Sequence, residues 1–200
     1  MDGVIHQLGI SSAAADSNLF WYSRQAAGVA VLVYFLILQA LSGIIPPLQA
    51  PDEITHLSRA YLLSKGEVFL GTRGGVTGGE IDSGLAEYMN LYQRLPLQYE
   101  KKLTASDLRS SHRMAWSGRR QFFINLSNTA LYFPLPYLPQ AFAFALGEHL
   151  QLSLDATYDL ARLFSRVTTL GLLWAALLLY PMPIMVIALF AMPMTLFQLA

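Results

Sequence analysis

Residues 25–51 form an apolar run without a single charged side chain. A helix of about 20 residues crosses the ~30 Å hydrocarbon core of a bilayer. Residues 26–45 therefore predict a membrane-spanning helix, with Gln39 as its only strongly polar side chain. Everything else in the chain has to be compatible with a membrane at this segment.

The composition is that of a membrane protein. Of 200 residues, 54% are hydrophobic and 13% are charged, whereas soluble domains carry about 25% charged residues. The 13 Lys and Arg residues balance the 13 Asp and Glu residues, so the net charge gives no reason to expect nucleic acid as a partner. The absence of cysteine excludes disulfides, Cys-ligated zinc and thiol catalysis.

Further apolar stretches predict further spans. We expect an all-α polytopic protein with about four membrane helices, at residues 26–45, 129–150, 162–180 and 184–200. Because the last stretch is still apolar at residue 200, we expect the chain to be the N-terminal portion of a longer protein.

Arginines near the predicted spans suggest an orientation. Arg24 lies near the end of the N-terminal segment, residues 1–25. Arg162 and Arg166 follow the short loop 151–161. Lys and Arg favour the cytoplasmic side. The long first loop, residues 46–128, is then predicted to be extracytoplasmic and to carry amphipathic helices, in a protein of the inner (plasma) membrane.

A group of ionisable residues follows the first predicted span at once. Beyond three prolines come Asp52, Glu53, His56 and Arg59. The spacing predicts a helix from about residue 52 to 65, ended by Gly66, with Asp52, His56 and Arg59 on one side. This polar stripe would face water or a cleft. Structural roles are equally open, since Asp is a common N-cap and Glu is favoured in the first helical turn.

The rest of the long loop offers weaker signals. The glycine-rich residues 71–79 lack the Gly-Lys-Ser/Thr ending of a phosphate-binding P-loop, so a flexible loop or short irregular hairpin is expected there. Residues 85–92 predict a short helix. A basic cluster that includes Arg113, Arg119 and Arg120 would suit lipid headgroups or a phosphate-bearing substrate, or is simply a solvated face.

Four blocks of sequence carry a resemblance to a known family: residues 51–60 (PDEITHLSRA), 132–141 (YFPLPYLPQA), 161–163 (ARL) and 192–194 (MPM). They resemble successive blocks of a bacterial family of predicted membrane proteins, domain of unknown function 2142. A membrane helix followed by an acidic pair in a long outside loop also resembles the GT-C glycosyltransferases. Those polytopic enzymes take a sugar from a polyprenyl-phosphate carrier.

The resemblance to GT-C enzymes implies roles for the polar residues. Asp52 would be the catalytic base or would place a divalent metal, Mg or Mn, together with Glu53. His56 would orient Asp52, act as a base, or bind the metal, although a lone histidine is more often structural. Substrate phosphate would meet Arg59, Arg113, Arg119 and Arg120. The implied partners are the lipid bilayer, a polyprenyl-phosphate-linked sugar and a glycan acceptor, with no nucleic acid.

Two other functions compete with a glycosyltransferase. One is transport of a lipid-linked or polymeric glycan, for which ionisable residues within spans would be typical. The other is a non-catalytic subunit of a cell-envelope polysaccharide assembly system, whose outside loop docks a partner. The sequence leaves the donor sugar and the acceptor open.

Overall fold

The computed structural model describes residues 24–93, 95, 98 and 100–180. They belong to two compact units, one with residues 24–41 and 167–180 and the other with the described part of residues 42–166. The predicted span 184–200 and most of the predicted segment 1–25 lie outside the described residues.

The first unit contains two helices that are long and apolar enough to cross a membrane. They are α1 (Arg24–Ser42, 19 residues) and the later part of α6 (Leu154–Leu179, 26 residues in all). A guanidinium nitrogen of Arg24 donates to the carbonyl of Leu178 at 3.0 Å. The start of α1 therefore meets the end of α6, and the two helices run antiparallel. Two of the four predicted spans thus correspond to candidate membrane helices.

The second unit combines helices with a small sheet. Its elements, in chain order, are α2 (Glu53–Ser64), β1 (Gly71–Arg73), β2 (Val76–Asp82), α3 (Ser83–Gln93), α4 (Ala105–Arg113), β3 (Arg120–Asn125), a 3-10 turn (Leu135–Tyr137), α5 (Leu138–His149) and the beginning of α6. The predicted helices at 52–65 and 85–92 are present as α2 and α3. Helix α4 was not predicted from the sequence, although Thr104 and Asp107 form a capping box at its start.

The three strands form an antiparallel sheet in the order β1-β2-β3, so the prediction of an all-α protein is wrong. Gly74 and Gly75 both have positive φ angles, 60° and 82°, and make the two-residue turn that favours a hairpin. The glycine-rich segment is therefore a regular β-hairpin. Strand β3 pairs with β2 from far along the chain, for example Phe123 with Glu80, and local sequence patterns do not report such pairing.

Helix α2 lies at the centre of the second unit, packed against both α5 and β2. Its approach to the sheet is close, because a Cβ added at Gly79 would lie 2.6 Å from Cδ1 of Leu62. Helices α5 and α6 also approach closely, since a Cβ at Gly147 would lie 2.4 Å from Cγ2 of Thr157. At these two glycines, the side chains of Leu62 and Thr157 occupy the space that a Cβ would need.

One hydrophobic core contains Leu57 of α2, Phe144 of α5 and Tyr158 of α6. Lys65 and Glu148 form an ion pair that joins α2 to α5. The predicted orientation placed residues 46–128 and 151–161 on opposite sides of a membrane. Side chains that pack in one core lie on one side of a membrane, so this core favours a single side for both segments; the predicted orientation stays a prediction, which the labelling experiment below tests.

The predicted span 129–150 also differs from the structure. It contains turns, the 3-10 turn and the 12-residue helix α5. A 12-residue helix is about 18 Å long at 1.5 Å per residue, which is shorter than the ~30 Å hydrocarbon core. Helix α5 packs on α2 as part of the folded unit.

A polar cluster around the buried residues Tyr88 and Asp155 joins α3, α4 and α6. The Tyr88 hydroxyl donates to Oδ1 of Asp155 at 3.0 Å, and Nδ1 of His112 lies 2.8 Å from Oδ2 of the same carboxylate. Burial, and then the negative charge of Asp155, raise the pKa of Tyr88 far above its ordinary value. Tyr88 therefore remains a neutral hydrogen-bond donor at any physiological pH.

The shared core predicts that residues 102 and 156 are reached from one compartment. Because the chain has no cysteine, Lys102→Cys and Ala156→Cys provide single labelling sites at exposed positions. A membrane-impermeant maleimide should label both from the same side of intact cells or of inverted vesicles. Ser12→Cys, before α1, serves as the reference for the other side. Labelling of residues 102 and 156 from opposite sides would contradict the single folded unit.

Candidate functional site

The two adjacent carboxylates at the start of α2 have different surroundings. Glu53 is half-buried, and its Oε1 accepts a hydrogen bond from the Tyr158 hydroxyl. Its Oε2 accepts from the backbone N–H of Ala50 at 3.1 Å. The Tyr158 oxygen also accepts from the N–H of Leu48 at 3.2 Å. Glu53 and Tyr158 therefore hold residues 48–53 against α6.

This network stabilises an unusual backbone. Leu48 and Asp52 both have left-handed φ angles, 61° and 58°. Non-glycine residues in such conformations cost about 1–3 kcal/mol each and persist where the surroundings over-determine them. Leu48 is buried and its N–H is used by Tyr158, so the contacts of Tyr158 and Glu53 supply that constraint.

Asp52 occupies the N-cap position of α2, but its side chain makes no capping hydrogen bond. The residue is exposed, and its backbone carbonyl accepts from the N–H groups of Thr55 and His56 at 3.0 and 3.1 Å. The capping role considered for the Asp52 carboxylate is therefore absent from this structure. Its carboxylate stands at a helix N-terminus, where a negative charge is favoured.

His56 lies one turn further along α2, among aromatic rings. Its Nδ1 is 2.8 Å from the Tyr137 hydroxyl, and its ring stacks on Tyr132 and Tyr137 with centroid separations of 5.9 and 5.8 Å. Burial raises the pKa of Tyr137, and the nearby Arg59 guanidinium offsets this only in part. Tyr137 is thus a neutral phenol that fixes the orientation of the imidazole.

His56 lines a cleft of about 530 Å³. Tyr137 and the carboxamide of Gln140 supply further polar groups, and the other lining residues are Leu131, Tyr132, Phe133 and Pro136. Aromatic faces and a few hydrogen-bonding groups are typical of small-molecule sites. Asp52 is not part of the lining, although it precedes His56 by one helical turn.

Arg59 does not share the exposed position of Asp52. It is 1% exposed and donates to the backbone carbonyls of Glu67 and Val68 at 2.9 and 2.6 Å. The predicted polar stripe of Asp52, His56 and Arg59 is therefore wrong at its third member. Arg59 ties the end of α2 to the chain that leads into the sheet.

The three arginines of the basic cluster also have different surroundings. Arg120 forms an ion pair with Glu67 and donates through Nε to the carbonyl of Glu80 at 2.8 Å. Arg113 and Arg119 are exposed. The structure brings none of the three into the lining of the His56 cleft.

The predicted metal site finds no support in the geometry. Within residues 24–93, 95, 98 and 100–180, no three His, Cys, Asp or Glu side chains are grouped so that they could hold a metal ion. Both oxygens of Glu53 already accept hydrogen bonds. Binding of a divalent metal by Asp52 and Glu53 therefore stays a prediction.

A second groove, of about 610 Å³, lies between α3 and β3. Helix α3 contributes Glu87, Asn90 and Gln93, which recur every three residues and share one face, and β3 contributes Phe122 and Phe123. Ile54 of α2 also lines this groove. Ile54 and His56 stand about 200° apart around the helix, so the first turn of α2 borders both openings.

Several residues of these sites were not predicted from the sequence. Tyr132, Tyr137 and Gln140 lie in one of the family-like blocks, which was a usable signal. Tyr158 lies about a hundred positions from Glu53 in sequence, and nothing local marks their contact. The groove residues of α3 also had no recognisable pattern.

The different surroundings of the two carboxylates predict different effects on stability. Glu53→Gln and Tyr158→Phe should each lower the free energy of unfolding by about 1.5–3 kcal/mol, the range for hydrogen bonds to charged groups. The double variant should lose less than the sum, because both changes remove one contact. Asp52→Asn should change stability by less than about 0.5 kcal/mol. Unfolding of the purified protein in detergent measures all four; an Asp52→Asn cost equal to that of Glu53→Gln would contradict this assignment.

Comparison with known proteins agrees with the membrane character of the chain. No curated protein and no solved structure matches it. Residues 35–200, more than half of the chain, match the family described as "Predicted membrane protein (DUF2142)". This match confirms the resemblance seen in the sequence blocks: the chain belongs to the DUF2142 family of predicted membrane proteins.

Proposed function

We propose that this membrane protein is a glycosyltransferase-like enzyme that uses a polyprenyl-phosphate-linked sugar in cell-surface glycan assembly. The observation that carries the proposal is the His56 cleft, with an uncommitted Asp52 carboxylate one turn away. Aromatic rings and a carboxamide suit a sugar, and exposed Leu131 and Phe133 at the same cleft suit the lipid that carries it. These exposed apolar side chains at the edge distinguish the cleft from an ordinary sugar-binding site.

The reaction requires an acceptor hydroxyl to attack the anomeric carbon of the donor sugar. A bond forms between the hydroxyl oxygen and that carbon, while the bond from the carbon to the carrier phosphate breaks. The phosphate leaves with the bonding electrons, and the hydroxyl proton needs a base. Asp52 is the carboxylate that we assign to this role, because its side chain has no structural hydrogen bond at the helix start.

His56 would position the substrates. In one tautomer, Nδ1–H donates to the Tyr137 oxygen and Nε2 is a free acceptor; in the other, Nδ1 accepts and Nε2–H donates. Either form presents a fixed hydrogen-bonding atom to a sugar hydroxyl, because the two tyrosines hold the ring. The role proposed for His56 is therefore orientation of substrate, with proton transfer left to Asp52.

Charge compensation for the leaving phosphate would come from arginine. Arg59 and Arg120 are engaged with protein groups, which leaves Arg113 and Arg119; both are exposed, and they would act from outside the lining of the His56 cleft. Arginine pairs well with phosphate oxygens through its planar fork of donors. No step is assigned to a metal ion.

The groove between α3 and β3 is the proposed site of the glycan acceptor. Carboxylate and carboxamide side chains on one face of α3, opposite the rings of Phe122 and Phe123, can hydrogen-bond hydroxyls and pack on the apolar face of a sugar ring. The groove and the His56 cleft both border the first turn of α2. That arrangement would bring acceptor and donor toward Asp52 from two sides.

A transport or assembly component of a polysaccharide system is the second candidate. The observation that favours it is the exposed apolar pair Leu131 and Phe133 at the His56 cleft, which suits a lipid-linked ligand with or without catalysis. Under this alternative the His56 cleft would bind a lipid-linked glycan without chemical change.

Full-length protein with Asp52→Asn, expressed in its own host, tests the catalytic proposal. Loss of a general base should lower the rate roughly 10²–10⁴-fold, so mass spectrometry should find the surface glycan truncated at a normal protein level. Glu100→Gln, at an exposed carboxylate outside both openings, is the matched control and should leave the glycan unchanged. His56→Gln should impair the product, while His149→Gln at the exposed end of α5 should not.

An unchanged glycan profile with Asp52→Asn at normal abundance would contradict catalysis by this residue. If His56→Gln alone impaired the product, the second candidate function would be favoured.

A further inference from the structure

Residues 131–142 carry an unusual density of exposed apolar side chains. Leu131 is 94% exposed and Phe133 is 70% exposed. The complete set, which we call the apolar segment, comprises Leu131, Tyr132, Phe133, Leu135, Leu138 and Phe142. Contiguous apolar surface of this kind on a folded unit marks a protein or membrane contact.

The apolar segment lies within a stretch that has no Asp, Glu, Lys, Arg or His side chain from residue 121 to 147. On α5, the inward face is formed by buried residues such as Ala141 and Phe144. The outward positions Leu138, Phe142 and Ala145 are exposed and also apolar. A helix that faces water carries polar residues on its outer side, so water does not account for this outer face.

An interfacial position in a bilayer accounts for this apolar outer face better than a membrane-spanning position does. Helix α5 has 12 residues, and hydrophobic stretches of 10–14 residues are typical of buried, re-entrant or interfacial segments. Phe142 stacks on Phe164 at a centroid separation of 5.7 Å. Phe164 belongs to the first part of α6, so the apolar segment contacts a helix that has the length and composition to cross a membrane.

We propose that the apolar segment lies at the boundary between lipid headgroups and acyl chains, and that its exposed side chains contact lipid without crossing the bilayer. Interfacial segments bury their apolar face about 5–10 Å into this boundary. The aromatic rings of Tyr132 and Phe133 suit that depth, where aromatic side chains are enriched. The charge-free composition agrees with contact to lipid throughout.

The interfacial position of the apolar segment determines where the His56 cleft opens. Leu131, Tyr132 and Phe133 line the cleft of His56, so an interfacial segment places that opening at the membrane surface. A lipid-anchored molecule would reach His56 by lateral diffusion within the bilayer. The membrane contact itself follows from exposure and composition, and it holds whether or not the protein is a glycosyltransferase.

Single cysteines test the proposal, because the natural chain has none. The full chain with Phe133→Cys or Leu138→Cys is labelled with an environment-sensitive nitrobenzoxadiazole fluorophore. It is then reconstituted in vesicles of phosphatidylethanolamine and phosphatidylglycerol. Phe69→Cys is the matched control, since Phe69 is a 92% exposed aromatic residue outside the segment. Phospholipids brominated near the top of the acyl chains quench a fluorophore that lies in the membrane, whereas iodide quenches a fluorophore that is exposed to water.

We expect quenching by brominated lipid to be severalfold stronger at residues 133 and 138 than at residue 69, and iodide quenching to show the reverse order. Labels at 133 and 138 that behave like the label at 69 would overturn the proposal. Shielding from both quenchers would also overturn it, because another protein segment or a second copy would then cover the surface. Leu135→Cys gives a third, independent position, and the thermal unfolding of each labelled variant verifies that it is folded.

Discussion

The half-buried carboxylate of Glu53 and the phenol of Tyr158 form the contact on which the second unit depends. Around it, the N–H groups of Leu48 and Ala50 complete a small network that holds two left-handed residues in place. Glu53 follows closely after the first candidate span, and Tyr158 lies on the helix that forms the second. The contact therefore joins the beginning and the end of residues 42–166, and the core of α2, α5 and α6 forms between these ends.

This arrangement separates the roles of two neighbouring acidic residues. The Glu53 carboxylate accepts hydrogen bonds from Tyr158 and Ala50, so the neighbouring Asp52 carboxylate is not needed to cap or anchor the helix. Asp52 is left exposed at a helix start, one turn from a histidine whose ring is fixed by two tyrosines. The proposed transfer of a lipid-linked sugar rests on this helix start, where the Asp52 carboxylate lies at the end of α2 that borders both the His56 cleft and the groove between α3 and β3.

Sequence reasoning succeeded where the signal was local. The start of α2 and its end near Gly66 follow from prolines, an N-cap residue and a glycine with φ of 82°. It failed where packing decided the outcome: Arg59 has the spacing of a surface residue, but its guanidinium is buried against the carbonyls that follow α2. The segment around α5 is apolar enough to suggest a span, whereas its length and its contacts with α2 place it in a folded unit with an apolar outer surface. Hydropathy alone does not separate these cases.

The most direct test is amide hydrogen exchange of the full-length protein in a membrane, compared between the natural sequence and Glu53→Ala. If residues 42–166 fold as one unit held by Glu53 and Tyr158, the substitution should speed exchange in α2, in α5 and in residues 154–166 by a similar factor. Faster exchange confined to residues 48–56, with α5 and α6 unchanged, would contradict the account.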